Sequence, residues 1–142
     1  MKMIRPGDEV AALETMVGML RERNIGFGVQ DGEVLIERRF AIKATKSFIV
    51  LRSFASPMHG ALEGISRLEL LERLNTINHE FKIPRVKVHS LMDTGVPLLT
   101  YDWNILIFEP GISLDHLLSL VANFKNAVDI AQKFLQQMQA ER

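Results

Sequence analysis

The strongest constraint on the fold is the way in which helical and extended segments are grouped along the chain. Apolar residues at three-and-four spacing predict a helix from about Asp8 to Arg23, and the S-x-x-E capping box at Ser66 begins a second. A third helix begins at the cap Ser113 and runs to about Met138. Groups of strands with hairpin-length connections separate these helices, which favours an α+β fold with an antiparallel sheet over a doubly wound parallel sheet.

The first group of strands lies between the first two helices. Residues from Ile25 to Gln30 and from Glu33 to Arg39 flank Asp31-Gly32, a dipeptide typical of the type I′ turn of a hairpin. A third strand is predicted from Phe40 to Phe54, with both faces covered where alternation is lost at Phe48 to Leu51.

The second helix and the second group of strands complete the expected order. The predicted buried stripe of this helix is Leu68, Leu71, Leu74, Ile77 and Phe81, followed by an end at Pro84. Strands are predicted from Arg85 to Leu91 and from Leu98 to Phe108, joined by a turn at Thr94 to Pro97. The element order is therefore α-β-β-β-α-β-β-α, and the length of 142 residues predicts a single domain over 1–142.

Composition excludes several classes of function. The chain has 17 Lys and Arg residues and 17 Asp and Glu residues, so its net charge is zero. Because no net positive charge attracts a polyanion, nucleic acid is not an expected partner. The chain has no cysteine, which removes disulfides, thiolate zinc sites and cysteine nucleophiles. Because there is no leading apolar run and no stretch long enough to cross a bilayer, we expect a cytoplasmic protein with no membrane partner.

Motifs for catalysis, cofactors and metals are not found. The histidines have no metal-binding spacing; they are His59, His79, His89 and His116. Gly26 and Gly28 lack the third glycine of a dinucleotide-binding fingerprint. Ser113 lacks the second glycine of a nucleophile elbow. Acidic residues interrupt the basic ones on the predicted strands, which indicates a solvated sheet face. We therefore expect no enzyme activity, no cofactor and no metal.

Asn75 and Asn78 are the polar residues of greatest interest. They stand three positions apart near the end of the second helix, beside Leu74 and Ile77. Because the asparagine amide competes for nearby backbone groups in a helix, the pair suggests specific hydrogen bonds. A structural role in holding the end of this helix is favoured over a binding role.

The segment from Leu71 to Asn78, followed by Phe81 and by Pro84-Arg85-Val86-Lys87-Val88, resembles the YbjN family of bacterial sensory-transduction regulators. The L-N-x-x-N helix that runs into a strand carries the resemblance. The family's fold is similar to that of the type III secretion chaperones, and the element order derived above agrees with it over nearly the whole chain. The resemblance implies a small homodimeric bacterial protein that does no chemistry and holds another polypeptide. The longer, more apolar loop from Ser56 to Gly64 and the turn at Gly95 depart from the family pattern.

The apolar surface predicted for this chain exceeds what one sheet and three helices readily bury. Contiguous apolar patches beyond a few hundred Å² mark interaction sites. The residues expected to form the dimer or partner surface are Phe48, Val50, Leu120, Phe124, Ile130 and Phe134. The alternative function is a small-ligand sensor, or an enzyme, with a pocket on the sheet near Tyr101, Trp103 and His89.

Overall fold

The computed structural model describes residues 2–37, 39–54, 66–80, 85–91 and 97–140. Within these residues three helices and a six-stranded antiparallel sheet confirm the predicted α+β class. The elements are α1 (Glu9–Glu22), β1 (Gly28–Gln30), β2 (Glu33–Ile36), β3 (Phe40–Ala44), β4 (Phe48–Phe54), α2 (Arg67–Glu80), β5 (Arg85–Leu91), β6 (Pro97–Leu106) and α3 (Leu114–Ala140). The predicted loop at 56–64, the helix end at 81–84 and the turn at 94–96 lie outside the described residues, as does His59.

The strands are hydrogen-bonded in the order β1-β2-β3-β4-β6-β5. The chain forms two compact units, which we call unit 1 (Met1–Arg52 with Asn104–Asn123) and unit 2 (Ser53–Trp103 with Phe124–Arg142). The elements β4, β6 and α3 contribute residues to each unit.

The segment predicted as one strand from Phe40 to Phe54 is two strands, so the predicted order with three strands before α2 is wrong. A two-residue turn at Lys46 and Ser47 separates β3 from β4. The Thr45 hydroxyl accepts the Phe48 N–H at 3.0 Å and donates to the Phe48 carbonyl at 3.1 Å, while Thr45 N–H donates to the same carbonyl at 2.8 Å. A threonine side chain thus closes a turn that contains neither Gly nor Pro.

In unit 1, α1 and the first hairpin form as predicted. The Asp8 carboxylate caps α1 by accepting Ala11 N–H at 3.1 Å, and Asn24 ends the helix region with φ of 55°. Asp31 and Gly32 have φ values of 52° and 77°, as a type I′ turn requires. Helix α1 packs against β2 and β3. The buried residues of unit 1 include Met16, Leu20, Val34, Ile42, Ile49, Leu117 and Val121.

A clasp joins the segment before α1 to the segment before α3. The Ile4 N–H donates to the Ile112 carbonyl at 2.8 Å, and the Ile112 N–H donates to the Ile4 carbonyl at 2.9 Å. Gly111 beside it has φ of 110°, and a Cβ at this position would lie 2.4 Å from the Ile4 carbonyl oxygen. Only glycine fits this backbone approach without a shift.

In unit 2, α2 begins as predicted, because the Ser66 hydroxyl accepts the Glu69 N–H at 3.1 Å. The predicted buried stripe of α2 is wrong in its first half, since Leu68 and Leu71 are exposed. The buried face consists instead of Leu70, Arg73, Leu74 and Ile77. These positions also follow helical spacing, so α2 buries a face that is rotated about the helix axis from the predicted one.

The second hairpin and the last helix also agree with the sequence. Strands β5 and β6 pair antiparallel with Arg85 opposite Asp102, and a register shift falls between Val88 and Ser90. The Ser113 hydroxyl accepts the His116 N–H at 3.2 Å and caps α3. In unit 1 the buried face of α3 includes Leu114, Leu117 and Val121, and in unit 2 it includes Phe124, Val128, Ala131 and Leu135.

Candidate protein-interaction surfaces

Two exposed apolar side chains lie opposite each other on β4 and β6 within unit 1. The Ile107 N–H donates to the Ser47 carbonyl at 2.8 Å. In an antiparallel pair this bond places Phe48 directly opposite Leu106, with both side chains on the same face. Phe48 is 42% exposed and Leu106 is 47% exposed. The pair is therefore available for contact with another molecule.

Neighbouring residues extend this exposed pair into a patch. Phe108 is 71% exposed, whereas Ile107 before it is buried. This alternation places Phe108 on the same side as Leu106, and Val50, which is half-buried, lies on the same face as Phe48. We call these four residues the Phe48 patch. Four apolar side chains together on one face are typical of an interaction surface rather than of scattered surface residues.

Charged residues border the patch. Arg52 follows Val50 on the same face of β4, and its Nη1 lies 3.7 Å from Oε1 of Glu33. Both side chains are partly exposed. An apolar centre with a polar border is the usual composition of a protein interface.

The six residues that the sequence predicts for the dimer or partner surface differ in their exposure to solvent. In unit 1 Phe48 is exposed, and Val50 and Leu120 are half-buried. Phe124 is only 1% exposed, so its assignment to the surface is wrong and it is a core residue. It lies in register with the buried face of α3, which is where the helical spacing puts it.

In unit 2, Ile130 is exposed and Phe134 is half-buried, four residues apart on α3. Side chains at this spacing are neighbours on the helix surface. They form a second, smaller apolar surface that belongs to unit 2.

Sequence reasoning missed Leu106, Phe108, Leu68 and Leu71. Leu106 and Phe108 occupy the face of β6 that carries Asn104 and Asp102, and an apolar residue in a polar series is the signal that could have found them. Leu68 and Leu71 stand at helical spacing and give no such signal.

Asn78 joins α2 to β5 within unit 2. Its Nδ2 donates to the Val86 carbonyl at 3.1 Å, and its Oδ1 accepts the Val86 N–H at 2.8 Å. Asn75 is exposed on the same helix. One of the two asparagines thus makes specific backbone hydrogen bonds at the position where the sequence predicts a structural role.

Ion pairs involve several of the basic residues. The Lys87 Nζ lies 3.0 Å from Asp102 Oδ2 in unit 2, and the Lys2 Nζ lies 2.6 Å from Glu22 Oε1 in unit 1. The Arg23 guanidinium hydrogen-bonds to Asp115 and, by this bond and its charge, holds the pKa of that carboxyl below the ordinary 3.8. Acidic partners therefore neutralise these cations locally.

A surface cavity of about 410 Å³ in unit 1 is bordered by two of these ion pairs, Lys2 with Glu22 and Arg23 with Asp115. Its lining residues are Lys2, Met19, Glu22, Arg23, Ser113, Leu114 and Asp115. The pocket expected from the sequence involves Tyr101, which is buried, and Trp103, which is half-buried; the side chain of His89 lies outside the described part of the structure. Among the described residues, no group of three His, Asp or Glu side chains is arranged to hold a metal ion.

None of the helices that the structure describes is long and apolar enough to cross a membrane. No family model matches the chain, and no curated protein and no solved structure matches it either.

Proposed function

We propose that this chain is a cytoplasmic, homodimeric protein-interaction module without catalytic activity, which binds a segment of a partner protein as a chaperone-like regulator. The proposal includes the YbjN-like character and the type III secretion chaperone-like fold that the sequence resembles. The single observation that carries it is the Phe48 patch, where Phe48 and Leu106 face solvent on neighbouring strands and Phe108 is 71% exposed.

The chemistry of the patch favours a polypeptide with apolar side chains as the partner. Complete burial of a fully exposed Phe side chain contributes about 1.5–3 kcal/mol. Covering Phe108, which is 71% exposed, therefore contributes most of that amount, and covering Phe48, which is 42% exposed, contributes less than half of it. The Glu33 and Arg52 ion pair at the border offers both a donor and an acceptor for polar groups of the same segment. A sheet face of this kind suits an amphipathic helix or an extended segment.

The test compares partner binding by matched surface variants. Phe48→Ser and Phe108→Ser change the patch, and Val10→Ser changes a residue on α1 that is 66% exposed and outside the patch. The partner is first captured with the wild-type protein from cells that produce it and identified by mass spectrometry, and its dissociation constant is then measured with each variant.

We expect each patch variant to bind at least about tenfold more weakly, which corresponds to about 1.4 kcal/mol, and Val10→Ser to bind as the wild type does. Equal affinity in all four proteins would rule out the Phe48 patch as the binding surface. Light scattering after size exclusion tests the homodimer separately, with an expected mass of twice 16.1 kDa.

A further inference from the structure

The two edge strands of the sheet, β5 and β1, differ in how their backbone groups are satisfied. On β5, the Asn78 side chain binds both the N–H and the carbonyl of Val86, as a neighbouring strand would. On β1, all three residues are exposed. The strand also lacks the Pro and Lys residues with which proteins protect open edges. The β1 edge is therefore accessible to another strand.

The turn beside β1 determines which groups point outward. In a type I′ hairpin the residues that flank the turn, Gln30 and Glu33, form a hydrogen-bonded pair. Hydrogen-bonded and non-hydrogen-bonded pairs alternate along an antiparallel ladder, so the next pair, Val29 opposite Val34, is non-hydrogen-bonded. The N–H and the carbonyl of Val29 consequently point away from β2 and toward the open edge.

We propose that a second copy of this chain adds to this edge, with the two β1 strands antiparallel about a two-fold axis at Val29. The proposal rests on the homodimer of the proposed function and names its interface. The Val29 N–H of each copy donates to the Val29 carbonyl of the other. Because Val29 offers one donor and one acceptor side by side, the edge is complementary to itself, as a two-fold interface requires.

Charge complementarity favours a second copy over an unrelated strand. A register centred on Val29 brings Asp31, the first residue of the turn after β1, close to Phe27 of the partner subunit, the residue before its β1. In each copy the Arg21 guanidinium lies 5.9 Å from the centre of the Phe27 ring. The Asp31 carboxylate of each chain thus approaches a cation of the other, twice in a symmetric dimer.

Side chains leave room for this approach. Gly28 lies opposite Gln30 of the partner subunit in a non-hydrogen-bonded pair, where the two backbones come closest. Among the described residues other than its two chain neighbours, no atom lies within 4 Å of a Cβ added at Gly28, so the space above this residue is open there. The small residue and the open space both favour close backbone pairing.

The test uses the full chain and Val29→Pro, with Val29→Thr as the matched control. Proline removes the outward N–H but no hydrogen bond of the β1 and β2 ladder, which is why an edge strand tolerates it. Threonine keeps the N–H and the branched shape. Dissociation constants of the dimer are measured by sedimentation equilibrium, and circular dichroism checks that each variant is folded.

We expect Val29→Pro to raise the dissociation constant at least about tenfold and Val29→Thr to leave it within about twofold. Asp31→Asn keeps a residue that tolerates the left-handed backbone and removes only the charge; we expect it to weaken the dimer and to reduce its salt dependence. The Val29 amide should also exchange with solvent more slowly as the protein concentration rises.

The outcomes separate this inference from the proposed function. A wild-type dimer whose dissociation constant is unchanged in Val29→Pro and in Asp31→Asn overturns the β1 interface but leaves the homodimer intact. A wild-type chain that is monomeric, including one that takes up an unrelated extended peptide at β1, overturns both the interface and the homodimer. If Val29→Pro does not fold, Asp31→Asn and amide exchange at Val29 decide by the same criteria.

Discussion

The side-chain amide of Asn78 forms with Val86 both hydrogen bonds that a neighbouring strand would form, at 3.1 Å to the carbonyl and 2.8 Å from the N–H. We expect Asn78→Ala to lower the free energy of unfolding by about 2 kcal/mol, because it leaves two backbone groups of an edge strand without these partners. Asn75→Ala, three residues earlier and exposed, is the matched control and should change it by less than about 0.5 kcal/mol. Urea denaturation measures both variants. Equal effects would show that the amide of Asn78 contributes little.

Gly111 is expected to be intolerant of any side chain. Its φ of 110° and the 2.4 Å distance from an added Cβ to the Ile4 carbonyl oxygen require the clasp to shift. We expect Gly111→Ala to destabilise the protein by about 2–4 kcal/mol. Gly18→Ala, inside α1, should instead stabilise it by about 0.5–1 kcal/mol, because in the described part of the chain no atom beyond its neighbours and the nearby helix backbone lies within 4 Å of the added Cβ. We expect Gly111→Ala to lower the unfolding temperature and Gly18→Ala to raise it, as thermal unfolding would show. A Gly111→Ala protein as stable as the wild type would contradict the close backbone approach at the clasp.

Because Arg23 lowers the pKa of Asp115, the free energy of unfolding should depend on pH in the acid range. The pKa of Asp115 lies below 3.8 in the folded protein because Arg23 hydrogen-bonds to it and attracts its charge. A carboxyl whose folded pKa is depressed stabilises the protein above its unfolded pKa, and this contribution is lost as the pH falls through the folded pKa. Between about pH 5 and pH 2, the stability of the wild type should therefore fall more steeply than that of Asp115→Asn.

The same pair can be followed directly by NMR. In Arg23→Gln the pKa of the Asp115 carboxyl should rise toward 3.8, since both causes of its depression are removed. An unchanged titration of Asp115 in this variant would mean that the helix terminus, and not Arg23, sets the pKa.

Arg73 predicts an asymmetry between two substitutions on α2. Its side chain is buried, Nη2 lies 3.0 Å from Glu69 Oε1, and the buried Nη1 has no hydrogen-bond partner among the residues that the structure describes. Arg73→Met removes a buried donor and should leave the stability within about 1 kcal/mol of the wild type or raise it. Glu69→Gln leaves the guanidinium buried without its counter-charge and should cost about 1–3 kcal/mol. Denaturation that ranks the two variants in the opposite order would contradict this account.

The sequence predicted the helix starts and the hairpin turn because each depends on residues next to each other in the chain. Asp8, Ser66 and Ser113 cap their helices through hydrogen bonds to residues three positions later in the chain. Asp31-Gly32 forms its turn for the same local reason. The break between β3 and β4 was missed because Thr45 closes it with a hydroxyl, and the residues around it have the composition of a strand.

Tertiary contacts explain the remaining differences. Leucines at 68, 70, 71 and 74 cover a wide arc of α2, so helical spacing alone does not choose between the face of Leu71 and the face of Leu70. The buried face includes Arg73, a residue that a pattern of hydrophobicity places in solvent. On the surface, the sequence predicts Phe48, whereas Phe108 is marked in the sequence only as an apolar residue in a polar series, and its exposure of 71% follows from the fold.

The hydrogen bonds between Ile4 and Ile112 join residues that are far apart in the chain, so they form only after the ribosome has made both. Unit 1 contains Met1–Arg52 and also Asn104–Asn123, so β1, β2, β3 and the first part of β4 are made long before the segment that completes the unit. At typical rates of translation the ribosome needs roughly 5 to 20 seconds to travel from one end of the clasp to the other. During that interval, apolar side chains of residues 1–52 that are buried in the finished unit 1 lack the packing partners that residues 104–123 supply.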